Sequence, residues 1–208
     1  MSPSRKNWTG PCPGGCDFAD KPSSPAYASS VFWRGDCHAN ILPVEALPVG
    51  FVGDADAFDL LGIPHPVTVL RSLDGEHVLI CDGPRSLRLD VVAGSLLSGP
   101  VRLSYCLSGF AGVEAKVMTL RRLLALERLG RLPSALFPPE RKARRWGMVL
   151  RAHDGMRAGA SQREIAIGLF GEEHVRADWE AGYLRTRIQR LIQTAERMIG
   201  GGYRVLLQ

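Results

Sequence analysis

Near Gly112 the spacing of the apolar residues changes. Before it they alternate: Leu87, Leu89 and Val91 are interleaved with Arg88 and Asp90. After it they recur at helical spacing: Val113, Val117, Leu120, Leu124 and Leu126. Side chains alternate across a strand but return to one helix face every 3.6 residues, so the two halves must fold as different elements. The expected class is α+β, with a small antiparallel sheet in the N-terminal half followed by a helical helix-turn-helix unit.

The sheet is expected within residues 65–107. Val67–Leu70 is a β-rich run, Leu73-Asp74-Gly75 a turn signal, and His77–Ile80 the returning strand. Asp82-Gly83-Pro84 turns again, and Val101–Cys106 follows Gly99-Pro100 as a further strand. Val31-Phe32-Trp33 reads as a strand opening the ordered part. Residues 1–29, rich in Pro, Gly, Ser and Lys, read as a disordered tail. Residues 40–65 carry scattered apolar groups and acids, with a short turn of helix at Phe58–Leu61. The expected domains are 30–110, β-rich, and 111–208, helical.

Helices are expected near 113–129, 140–153, 161–169 and 179–199, with Trp146, Val149 and Leu150 facing inward. Tyr203–Leu207 reads as a strand-like tail that docks back. The centre of the helical half is the pair 161–169 and 179–199. Ser161 with Glu164 fits a capping box, and Gly171 suits a helix stop. Leu184, Ile188, Leu191, Ala195 and Ile199 form one stripe of the longer helix. Ile165, Leu169, Trp179, Leu184 and Ile188 are expected to be buried together. A short capped helix, a turn and a longer helix with an Arg/Gln/Thr face read as a helix-turn-helix. The stretch from Gly171 to Asp178 exceeds the usual turn, so the connector is a variant or carries its own turn of helix.

Charge follows the same division. The 208 residues have a net charge of +5. From Arg141 onward there are 13 Lys/Arg against 7 Asp/Glu; the first 140 residues hold 13 against 14. The basic excess therefore lies in the helical segment, as in a module that binds a polyanion. No run of 18 apolar residues is present and no export signal is visible, so the expected place is the cytoplasm, with no membrane partner. Five cysteines are an odd number for a disulfide framework. Cys12, Cys16, Cys37 and His38 are too loosely spaced for a zinc site to be expected, and no cofactor is expected. No P-loop, paired-His motif, nucleophile elbow or dinucleotide fingerprint is present, and no Ser or Cys in the sheet segment stands beside His77 with an activating partner. An enzyme is not expected.

Residues 150–171, Trp179, 184–191 and 201–207 resemble a proteobacterial helix-turn-helix variant long catalogued as a domain of unknown function. It occurs on integrative and conjugative elements, notably those of rhizobia. Phe32-Trp33, the hairpin at 67–82 and the helix at 113–130 share in the resemblance. Some members of that family activate excision and transfer genes. Others are small antiactivators that bind the activators instead of DNA. Longer activators carry an N-terminal module with an aromatic, Arg-rich motif; here a Pro/Gly stretch stands in its place.

The expected function is a DNA-binding transcriptional regulator, an activator of excision and transfer genes of a mobile genetic element. The alternative is an antiactivator or other protein-interaction module. Double-stranded promoter DNA is the expected partner, with RNA polymerase or an antiactivator protein beside it. Thr186, Gln189 and Arg190 are expected to read bases, since Arg and Gln carry donors for guanine and adenine edges. Gln193 and Arg197 continue that face. Arg185 and Arg187 flank the apolar stripe and point toward the groove walls, and Arg163 reaches the backbone from the preceding helix.

Overall fold

The computed structural model describes residues 16–18 and 31–207 except 36, 52 and 74, the side chains of 17 and 18 excluded. The rest of the expected tail, Cys12 among it, lies outside the described residues. The chain divides into a β unit, up to Phe137 together with Leu207, and a helical unit, Pro138–Leu206.

Two strands, β1 (Cys16–Phe18) and β2 (Val31–Trp33), pair antiparallel. Cys16–Phe18 thus departs from the expected tail. The main sheet contains β3 (Ile41–Pro48), β4 (Ala57–Phe58), β5 (Val67–Ser72), β6 (Gly75–Asp82), β7 (Arg85–Ala93) and β8 (Val101–Tyr105). Its order is β4-β8-β3-β7-β6-β5. The β5–β6–β7 meander follows the turn signals of the sequence. A Cβ on Gly75, whose φ is +139°, would lie 2.2 Å from the Val91 carbonyl oxygen, so only glycine fits that hairpin.

The departure is β3, which sequence periodicity did not mark as a strand. It sits mid-sheet, antiparallel to β8 but parallel to β7, with an irregularity between Val44 and Glu45. Pro43 and Pro48 argue against a central strand, because proline cannot donate to a ladder. Pro43 nonetheless accepts: the Cys106 N–H donates to its carbonyl at 3.0 Å.

One sheet face buries Leu42, Val44, Val78, Ile80, Leu87 and Leu89. Helix α1 (Val113–Leu129) closes it with Leu123 and Leu126. The buried Thr119 hydroxyl donates to the Asn40 carbonyl at 2.9 Å. Val117 and Leu124, expected on the apolar stripe, are exposed instead. α1 therefore belongs to the β unit, and the division falls after Phe137 rather than after residue 110.

The helical unit comprises α2 (Ala143–Arg157), α3 (Gln162–Phe170), α4 (Glu172–Asp178) and α5 (Tyr183–Ile199). Val149, Ala152, Ile165, Ala166, Val175, Leu184, Ile188, Leu191 and Ala195 form its core. Leu169 and Trp179 pack against that core from partly exposed positions. Leu150 and Ile199, expected inward, are each 57% exposed. Ile199 is the last residue of α5, beyond the reach of the core. The expected terminal strand is a 3-10 turn, Gly202–Leu206. Leu207 is buried in the β unit, where the Ala39 N–H donates to its carbonyl at 2.9 Å.

Candidate nucleic-acid interface

The capping box at the start of α3 is present in both directions. The Glu164 N–H donates to Ser161 Oγ at 3.3 Å, and the Ser161 N–H donates to Glu164 Oε2 at 2.7 Å. These bonds hold the Glu164 carboxyl below its ordinary range. Gly171, at φ +89°, ends α3 and begins α4. The long connector is thus largely helix, anchored by buried Val175. Trp179 caps the end of α4 rather than opening α5. From Trp179 the chain turns through Gly182, at φ +74°, with the Gly182 N–H donating to the Trp179 carbonyl at 3.1 Å. The step into α5 is therefore a short turn containing glycine, the usual form of a helix-turn-helix corner.

α5 divides cleanly between core and surface. Leu184, Ile188, Leu191 and Ala195 are buried. Arg185, Thr186, Gln189, Arg190, Gln193 and Arg197 are exposed. Arg187 is half-buried, its guanidinium 4.3 Å from the centre of the Phe170 ring. Arg185 lies 5.5 Å from the Trp179 ring. These stacks hold both flanking arginines against the neighbouring elements, as their sideways positions on the helix require. The Thr186 hydroxyl donates to the Gly182 carbonyl at 3.1 Å, so its proton is engaged by the turn. Arg190 and Arg197 have no carboxylate partner among the described residues. α5 has no acidic residue in its first turn.

Arg163 stands apart from that face. It is exposed on α3 and lines an open cleft of about 410 Å³ with Ser161, Glu164, Glu172 and Arg176. Arg176 makes an ion pair of 3.6 Å with Glu172.

Further cations were not singled out from the sequence. Arg141, Lys142, Arg144 and Arg145 at the head of α2 are all exposed. That helix has no acid in its first turn and no side-chain cap. Cations at a helix N-terminus oppose its dipole, so the cluster raises the local positive potential. The run RKARR was the available signal. Arg151 has a positioning part: its Nη2 donates to the Gly168 carbonyl at 2.9 Å and ties α2 to α3.

The β unit corrects one expectation. His77 does have a serine and a carboxylate beside it. Its Nε2 lies 3.1 Å from Ser72 Oγ, and its Nδ1 lies 2.8 Å from Asp90 Oδ1. His77 and Asp90 are directly opposed across β6 and β7, so the contact follows from strand register. His65 likewise has a place, its Nε2 donating to the Gly130 carbonyl at 2.8 Å. Among the described residues no group of three or more His, Cys, Asp or Glu could hold a metal. No helix among them is long and apolar enough to cross a membrane.

Residues 109–208 match the model of a family described as a T6SS transcription factor DNA-binding domain. The C-terminal part of this chain is similar to a DNA-binding domain of transcription factors. The match runs from just before α1 through the whole helical unit, and it supports a DNA-binding regulatory family. No curated protein and no solved structure matches the chain.

Proposed function

We propose that this protein is a transcriptional regulator that binds double-stranded promoter DNA through the outer face of α5. One observation carries the reading. α5 spends its apolar stripe from Leu184 to Ala195 on the core, while Arg190 and Arg197 stand exposed without a carboxylate partner among the described residues. Two unpaired guanidiniums with Gln189 and Gln193 between and beside them suit a negatively charged groove whose base edges accept and donate hydrogen bonds.

Within this proposal Gln189 and Arg190 read bases, and Gln193 and Arg197 extend the contact. Thr186 packs the start of the helix against the backbone. Arg185 and Arg187, fixed by their aromatic stacks, meet the groove walls. Arg163 contacts phosphate from α3. The direction of regulation is activation and the target is the excision and transfer genes of a mobile genetic element, as the resemblance at 150–171, 184–191 and 201–207 implies. Its site of action is the cytoplasm, RNA polymerase is the partner of the activating step, and an antiactivator protein is a partner that would restrain it. No catalytic step forms part of the proposal.

The test is a gel shift of the full chain with its own promoter DNA across a salt series. Binding should weaken steeply and linearly in log–log form, because each neutralised phosphate releases counterions. Absence of a shift even at low salt would overturn the proposal.

A further inference from the structure

Helix α1 buries Thr119, Leu123 and Leu126 and leaves another face open. On that face Glu114, Val117, Arg121, Leu124 and Arg128 are exposed. They follow one another at alternating steps of three and four residues, which sets them along one line of a helix. Beside the line lies an apolar cleft of about 290 Å³, lined by Arg121, Leu124, Ala125, Arg128, Leu129 and Leu136. Leu136 comes from the 3-10 turn Ser134–Leu136. Arg122 pins that turn to the helix. Its Nε donates to the Leu136 carbonyl at 3.1 Å, and its guanidinium lies 4.2 Å from the centre of the Phe137 ring. The cleft is thus preformed, and all its lining residues belong to the β unit.

The charges of the cleft are of one sign. Neither Arg121 nor Arg128 has a carboxylate partner among the described residues. Arg128, in the last turn, suits the carbonyl end of the helix dipole; Arg121, at mid-helix, has no such role. Apolar side chains beside unpaired guanidiniums match a partner that is apolar and acidic at once. A phosphate backbone would leave Leu124, Leu129 and Leu136 without apolar cover. A second copy of the chain fits badly. Laid antiparallel about Arg121, it would pair Glu114 with Arg128 but set Arg121 against Arg121.

We propose that this cleft docks an acidic amphipathic helix of a partner protein. Arg121 and Arg128 are two helical turns apart, about 10.5 Å along the axis. A helix lying alongside meets them with carboxylates seven residues apart and seats a Leu-sized side chain between them, as in helix-in-groove recognition. Each guanidinium fork accepts a carboxylate in two-point geometry. The proposal concerns the β unit alone and stands or falls separately from DNA reading by α5.

The experiment is fluorescence anisotropy of labelled synthetic helical peptides with the full chain. The first peptide carries Leu at alternating three- and four-residue steps, flanked by Glu. The second has Lys in place of Glu, and the third keeps Glu but has Ala in place of Leu. The first should bind at least about tenfold tighter than either of the others, since like charges repel across an interface and charge alone does not fill the cleft. Arg121→Glu/Arg128→Glu should reverse the preference between the first two peptides and keep DNA binding. Arg190→Glu/Arg197→Glu should leave peptide binding unchanged. Equal binding of the first and third peptides overturns the proposal, and so does a preference that survives reversal of Arg121 and Arg128. Loss of DNA binding in that variant would assign the arginines to DNA instead. A dimer in sedimentation velocity that the same variant abolishes would assign the face to a second copy, again overturning the proposal. Both arginines are exposed, so the fold should survive. Should it not, Arg121→Gln/Arg128→Gln decides in its place, with a loss of at least about fivefold for the first peptide expected and none contradicting.

Discussion

The guanidinium of Arg187 lies 4.3 Å from the centre of the Phe170 ring. It joins the first third of α5 to the last residue of α3. Arg187 is therefore partly a structural residue, although it lies on a helix proposed to face DNA. In a double-mutant cycle of Arg187→Met and Phe170→Leu, urea denaturation should give a coupling of about 0.5–1 kcal/mol. A coupling near zero would mean that the stack contributes nothing.

The core beneath that helix should be intolerant of truncation. Ile165, Leu184 and Ile188 are 6%, 4% and 0% exposed within one cluster. Ile165→Ala or Leu184→Ala should cost on the order of 2–5 kcal/mol in the free energy of unfolding. Losses below about 0.5 kcal/mol, the range of ordinary surface changes, would place these side chains outside the core. A Cβ built on Gly155 lies 2.9 Å from Ile165 Cγ1, so Gly155→Ala should also destabilise, by pressing α2 away from α3.

Acid should unfold the β unit in two stages. His38 is lowered from 6.5 to about 4, chiefly by burial and then by Arg88 and Arg122. Between those values the unfolded chain binds a proton that the native chain refuses, so stability falls as pH drops from about 6.5 toward about 4. Glu76 behaves as a carboxylate should. Burial pushes it up, but the Ser95 hydroxyl, the Leu96 N–H and Arg71 together hold it below its ordinary value. Its stabilisation is present above the unfolded carboxylate value and is lost as pH falls below it. Chemical denaturation across pH should show both limbs, and His38→Gln should flatten the upper one while leaving the lower. An unchanged upper limb in that variant would assign it to another group.

The two-part plan and most local elements were legible because they rest on local rules. The capping box needs only Ser161 and Glu164, and the meander needs only alternation and turn residues. What escaped depends on contacts distant in sequence. β3 is a strand because β7 and β8 flank it, which overrides the signal of Pro43 and Pro48. α1 carries a helical period, but only the sheet decides that Leu123 and Leu126 point inward and Val117 outward. The neighbours of His77 come from the pairing of three strands. In the helical unit the α5 stripe was legible through Ala195. The helix inside the connector was legible only as one of two readings, because its seven residues offer one buried anchor, Val175.

Arg190 and Arg163 should fail in different ways. Arg190→Ala should cost about 1–3 kcal/mol on the specific duplex and much less on a scrambled one, since it removes a base contact. Arg163→Ala should weaken both alike and flatten the salt slope by about one unit, since it removes a phosphate contact. Isotherms for both variants on both duplexes check this. Equal weakening of the two duplexes by Arg190→Ala would remove it from the base readers.

The most direct measurement is the affinity of the Arg190→Glu/Arg197→Glu double variant for promoter DNA, by fluorescence anisotropy, with circular dichroism and thermal unfolding alongside. Both side chains are exposed and without a carboxylate partner among the described residues, so the fold should survive the reversal. Arg187 is left in place because its stack on Phe170 would confound the result. The account predicts a native spectrum, unchanged unfolding and loss of DNA binding together with loss of reporter activation. DNA binding retained by the folded double variant would contradict it.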